Sequence, residues 1–164
     1  YYKGKIYVAV SGCKSGGSNE HFVHTYNAQS LKLIKKYDIS QHFTVCAGGI
    51  TYHSGRFYVA ESFFDNDHKD RVIEFDTSFR HIKDHEIDFK SPFGIQGLEY
   101  IPQKKSFQVH SHAEIFYQIN DRFEKESMVI GRASFELQDL ALLNKNTIII
   151  NNRDAQTIEF AKIK

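Results

Sequence analysis

A repeat averaging 47 residues, β-signature strands flanking a tight polar turn in its copies, and no sustained helical spacing predict an all-β fold assembled from β-propeller blades. The repeat is read directly from the chain. Gly49-Ile-Thr-Tyr-His-Ser-Gly-Arg-Phe-Tyr-Val-Ala60 aligns with Gly97-Leu-Glu-Tyr-Ile-Pro-Gln-Lys-Lys-Ser-Phe-Gln-Val109 with one inserted residue. It aligns again, without a gap, with Asp139-Leu-Ala-Leu-Leu-Asn-Lys-Asn-Thr-Ile-Ile-Ile150. The opening Tyr1-Tyr-Lys-Gly-Lys-Ile-Tyr-Val-Ala9 matches the second half of the unit, so Tyr1, Tyr52, Tyr100 and Leu142 are equivalent and stand 51, 48 and 42 residues apart.

Within a unit, the first two strands hold β-branched and aromatic residues over four to six positions and are bounded by Gly, Asn, Ser or Lys-Lys turns. A polar loop and a third alternating strand follow, at His21 to Tyr26, Arg71 to Phe75, Glu114 to Ile119 and Thr157 to Ile163. A more variable fourth strand is expected around Leu33 to Ile39, Ile82 to Phe89 and Lys125 to Ile130. The stretch Glu136 to Leu143 has some helical spacing, but its alignment with the other units assigns its end to a strand. A sandwich of similar strand number would give no reason for the sequence to repeat.

Lettered A to D from the inside out, the strands begin at B of one blade and stop after C of a fourth, with blades at about 1–46, 47–94, 95–136 and 137–164. These 14 strands make about three and a half blades, where closed rings have about four to eight. A further stretch of chain or a second copy is therefore expected to close the propeller, a small four-bladed ring being the other reading. Most aromatic residues sit in the strand repeats, and Tyr7, Tyr52, Phe57, Tyr58, Phe75, Tyr100, Phe107, Phe116 and Phe160 are expected to pack blade against blade in a chain without Trp.

Composition excludes several classes of function. With 21 Lys+Arg against 20 Asp+Glu, both signs are spread along 164 residues, which leaves no basic patch for nucleic acid. The longest apolar runs fall far short of the ~20 residues that cross a bilayer. There is no G-x-S-x-G elbow, no P-loop and no complete G-x-G-x-x-G.

The pattern G-[IL]-x-Y-x(2)-G-x-[IFL]-Y-V-A, as it stands at Gly49 to Ala60, resembles the propeller group that includes NHL-type, gluconolactonase-like and SdiA-regulated-like proteins. The resemblance covers nearly the whole chain and consists of packing and turn positions. It implies that the loops joining D to A and B to C emerge on one face around the mouth of a central channel, where function gathers. Cys46, Gly48, Gly49, Phe93, Gln96, Gln138 and Asp139 fall in or beside the first loops. The B–C loops add Cys13, Glu61, Asp65, Asp67, His68, Asp70, His110, His112, Asn151, Asn152, Arg153 and Asp154.

From this face a binding site is expected at Gln96, Glu99, Gln138, Asp139, Glu61, Phe63 and Asn151. Phe63 and Phe64 are adjacent aromatics in a loop and cannot both face a core, so one of them is a contact candidate. His110 and His112 alternate along a strand and could share a divalent metal such as zinc, though no third ligand stands at an obvious spacing. Asp65-Asn-Asp67-His-Lys-Asp70 resembles a calcium loop but lacks the Gly and the terminal Glu, and reads more simply as a solvated loop. Cys13 and Cys46 could bridge in an oxidising, extracytoplasmic setting, or stand apart as two small buried residues.

Two functions follow. The first is a binding or scaffold module that holds a protein or small-molecule ligand at the channel mouth. The second is a metal-dependent hydrolase of the lactonase type at the same face; there the resemblance implies acidic metal ligands, but the equivalent positions are Gly48, Gln96 and Gln138. The string Gln96-Gly-Leu-Glu99 also resembles a piece of the plant-type glutaminyl cyclase pattern, over four residues. A purely structural unit used in assembly is a third reading.

Overall fold

Among the described residues of the computed structural model, fourteen strands form four antiparallel sheets, each a meander of neighbours in sequence. The structure describes residues 1–13, 20–111, 115–132, 137–144, 147–152 and 154–162, with the backbone alone at 126 and 137–140. The first sheet is β1 (Lys5–Ser11), β2 (His21–Asn27) and β3 (Leu33–Asp38). The second is β4 (Cys46–His53), β5 (Arg56–Ser62), β6 (Arg71–Phe75) and β7 (His81–Glu86). β8 (Ile95–Ile101), β9 (Ser106–Ser111), β10 (Ile115–Asn120) and β11 (Val129–Arg132) make the third, and β12 (Leu137–Asn144), β13 (Thr147–Asn152) and β14 (Thr157–Lys162) the fourth. These are propeller blades in the expected order, B-C-D, A-B-C-D, A-B-C-D and A-B-C.

Turn chemistry repeats with the strands. Lys3-Gly4 and Ser54-Gly55 both take positive φ in two-residue hairpins, the conformation that glycine reaches without strain. In the third blade the inserted residue turns this hairpin into the 3-10 turn Pro102–Lys104, closed by Lys105 at φ 48°. Between the third and fourth strands, Asn27, Asp76 and Asn120 each accept two backbone N–H groups through Oδ1. A residue with positive φ follows each of them, at Leu31, Phe79 and Phe123.

Phe79 and Phe123 show how the blades stack. Phe79 packs among Tyr7, Tyr37, Phe57 and Phe75, between the first two sheets. Phe123 packs on Tyr58, His85 and Phe107, between the second and third. Two apolar clusters result, one around Val23, Phe57, Val59, Ile73 and Phe75, the other around Tyr58, Val72, Phe107, Val109, Tyr117 and Ile119. Burial of such surface is the main stabilising contribution to the fold. The inner strands touch through backbone, since a Cβ on Gly49 would lie 2.5 Å from the Leu98 nitrogen.

Several expectations need correction. Lys125–Ser127 forms a 3-10 turn, so the fourth strand of the third blade begins only at Val129. The fourth strand of the second blade ends at Glu86 rather than running to Phe89. Phe160 is two-thirds exposed instead of packed between blades. Glu61, His110, Asn151 and Asn152 lie within the ends of strands, not in loops. Among the described residues no helix is long and apolar enough to cross a membrane.

Candidate functional site

The upper ends of the first three blades converge on a pocket of about 330 Å³ lined by Cys13, Cys46, Ser62, Phe63, Phe64, Phe93 and Gln96. Cys13, two residues beyond β1, is joined by a disulfide to Cys46, the first residue of β4. Ser11 reinforces that junction. Its Oγ accepts the Ala47 N–H at 2.8 Å and lies 2.5 Å from His21 Nδ1, within hydrogen-bond distance of the imidazole. His21 is wholly buried, and its Nε2 has no hydrogen-bond partner among the described residues. Burial holds the His21 pKa below its ordinary value, against the nearby charges of Glu61 and Asp38.

The opposite wall is aromatic. Phe63 is buried, whereas Phe64 is 53% exposed, so the adjacent pair divides between interior and pocket rim. Phe93 follows Pro92 in a turn closed by the Gly94 N–H on the Ser91 carbonyl, and has φ 60°. A bulky side chain in the left-handed region costs about 1–2 kcal/mol. Three hydrogen bonds hold the turn there: Phe63 N–H to the Phe93 carbonyl at 2.8 Å, Phe93 N–H to Asn66 Oδ1 at 3.1 Å, and the Gly94 bond. Gly94 is required because a Cβ there would lie 2.6 Å from the Phe63 ring.

Behind Phe63 lies a second, polar cavity of about 340 Å³, lined by Thr44, Glu61, Asp67, His68, Lys69, Arg71 and Glu86. Its two cations are paired within the chain, Lys69 with Glu86 and Arg71 with Glu61. Glu61 is buried, accepts the Thr44 and Val45 N–H groups through Oε1, and pairs through Oε2 with Arg71 at 2.5 Å. Arg71 also reaches the His42 carbonyl and Asp84. Asp65 accepts the Asp67 N–H and contacts the His68 ring, which stacks on Phe63. Two carboxylates of the calcium-like loop are thus engaged by the chain itself: Asp65 in this way, and Asp70, which turns inward to Ser91 and Tyr117.

The remaining candidates sit elsewhere. Glu99 Oε2 accepts from the Thr51 hydroxyl and Oε1 from the Leu142 N–H, which ties together the inner strands of three blades. His110 is wholly buried in β9, and His112 lies outside the described residues, as does Arg153. Gln138 and Asp139 belong to β12, where only the backbone is described, Asp139 facing Asn151 in register. Among the described residues no three His, Cys, Asp or Glu side chains gather as a metal site.

The structure therefore brings Gln96, Phe63, Cys13 and Cys46 together and leaves Glu61 and Glu99 in structural bonds. Sequence reasoning overlooked Ser62 as a lining residue and the conformation of Phe93, for which the adjoining Pro92 and Gly94 were the available signal. Chemically, the pocket offers apolar surface, one amide and one hydroxyl, with no charged side chain among the described residues that line it. No family model matches the chain, and no curated protein matches it either. In fold it is similar to the crystal structure of the computationally designed Ika4 protein, a propeller-like all-β protein, with a TM-score of 0.50 and 8% identity over 96% of this chain and 92% of that one.

Proposed function

We propose that the chain is a binding module whose channel-mouth pocket receives a neutral apolar or aromatic group, carried by a small molecule or by a side chain of a protein partner. The observation that carries this reading is the lining itself: a disulfide and three phenylalanines around Ser62 and Gln96. Apolar walls with a few convergent polar groups are the usual make-up of ligand sites. Phe93 supports the same reading, since its ring lines the pocket and stays 38% exposed. The repeat signature supports membership of the NHL-type, gluconolactonase-like and SdiA-regulated-like propeller group, and the Cys13–Cys46 bridge supports an oxidising setting.

The chain has no Trp, so indole serves as a probe whose fluorescence is readily separated from that of the protein. Saturable indole binding that is weakened about fivefold or more by Phe64→Ser, an exposed position whose change leaves the fold intact, is the expected result. Binding that is absent, or that is indifferent to Phe64→Ser and Phe93→Gly alike, overturns the reading.

A further inference from the structure

We propose a second ligand site at the other end of the molecule: the cleft between the third and fourth blades, fitted to an amphipathic carboxylate with an anionic head and an aliphatic tail. The cleft measures about 420 Å³, within the ~300–1,000 Å³ of small-molecule sites. Strand directions place it away from the channel mouth. Ile101 ends β8, Val129 begins β11 and Lys162 ends β14, all at the edge opposite Ser62, Ser111 and Cys46.

Its walls are apolar. Phe116, Val129, Ile130 and Ile148 line it, and the Phe116 ring lies so close over Gly131 that a Cβ there would stand 2.5 Å from the ring. Lys104 and Lys162 also line it, with no carboxylate among the described lining residues. Neither lysine makes an ion pair among the described residues, whereas in the polar cavity above Lys69 pairs with Glu86 and Arg71 with Glu61. Two uncommitted ammonium groups beside an apolar wall complement an anion that carries a hydrocarbon tail.

The repeat explains why the cleft exists. Gln108 takes the place that Tyr7 and Tyr58 hold in the first two blades, where those rings close the interface with the next sheet. In the third blade Gln108 bonds sideways instead, accepting from the Gln118 amide at 3.0 Å and donating to the Tyr117 carbonyl at 3.2 Å. An amide tied down along its own sheet cannot fill the gap to the next one, so the third interface stays open.

Calorimetric titration of the 164-residue chain with decanoate and with decan-1-ol tests the proposal. Decanoate is expected to bind at one saturable site about fivefold more tightly than the alcohol, the size of preference that two solvent-exposed ion pairs supply. The double variant Lys104→Met/Lys162→Met is expected to abolish the preference while leaving affinity for the alcohol unchanged. Lys104→Arg/Lys162→Arg is expected to retain it. Both lysines are exposed, so neither variant disturbs the core, which an unchanged melting temperature verifies. Equal affinities for the two probes, no saturable binding of decanoate, or a preference that survives the methionine variant overturns the proposal.

Discussion

Tyr117 in β10 donates its phenolic hydrogen bond at 2.8 Å to Asp70, a buried residue in the loop before β6, and so fastens the third blade to the second. The other Asp70 oxygen accepts from both the N–H and the hydroxyl of Ser91. Burial raises the Asp70 pKa and these hydrogen bonds oppose the rise, while burial pushes the Tyr117 phenol well above its ordinary value. Tyr117→Phe keeps the ring and strips one donor from a buried carboxylate. It should lower stability by about 1–3 kcal/mol in urea unfolding. Asp70→Ala leaves three donors unpaired and should cost more; an equal or smaller loss would refute this assignment.

The Glu61–Arg71 pair anchors the link between the first two blades by holding the Thr44 and Val45 N–H groups. Arg71→Met strands a buried carboxylate, with an expected loss of about 2–3 kcal/mol, since Arg71 itself is partly solvated. Glu61→Gln combined with Arg71→Met removes both charges and keeps an oxygen for the two N–H groups. The double variant should therefore be more stable than Arg71→Met alone. A double-mutant cycle from chemical denaturation checks the order.

Reduction of Cys13–Cys46 frees two residues 33 apart in sequence. In the chain-entropy account, closing a loop of that length contributes about 3–4 kcal/mol. Dithiothreitol, or Cys13→Ser with Cys46→Ser, should lower the melting temperature and weaken indole binding together, because the bridge is itself part of the pocket lining. Thermal melts and indole titrations on oxidised and reduced protein measure both effects.

Acid should destabilise the fold earlier than its carboxylates alone require. Burial holds His21, His53 and His85 below their ordinary value near 6.5, in the last case against its Glu74 partner. The unfolded chain then binds more protons than the native one below that value, so stability is complete above about pH 6.5 and declines as pH falls through the window beneath it. The melting temperature should drop between about pH 7.5 and about pH 5.5. Constancy across that interval would contradict the burial of these imidazoles.

Phe93→Gly should separate binding from stability. Glycine relieves the left-handed strain at φ 60° and removes an exposed ring. Stability should stay within about 1 kcal/mol of the parent chain, while indole affinity falls. A marked loss of stability on thermal melting would mean that the ring packs rather than presents.

The sequence by itself determined the blades. Strand alternation, the Gly4 and Gly55 hairpins and the equivalence of Tyr52 with Tyr100 are local or periodic features, and each copy repeats the same answer in the residues that pack it. The fate of Glu61, Glu99 and Asp70 was decided only by the tertiary structure. A carboxylate in a sequence is equally suited to a ligand and to a backbone N–H, and its partners, Thr44, Leu142 and Tyr117, come from other blades. The same holds for both cavities. The channel-mouth pocket depends on the meeting of Cys13, Phe63 and Gln96 across three blades, and the lower cleft on one interface that Gln108 leaves unfilled. Periodicity specifies which face a side chain takes within its own sheet; what it meets on the next sheet is set by the stacking of the blades.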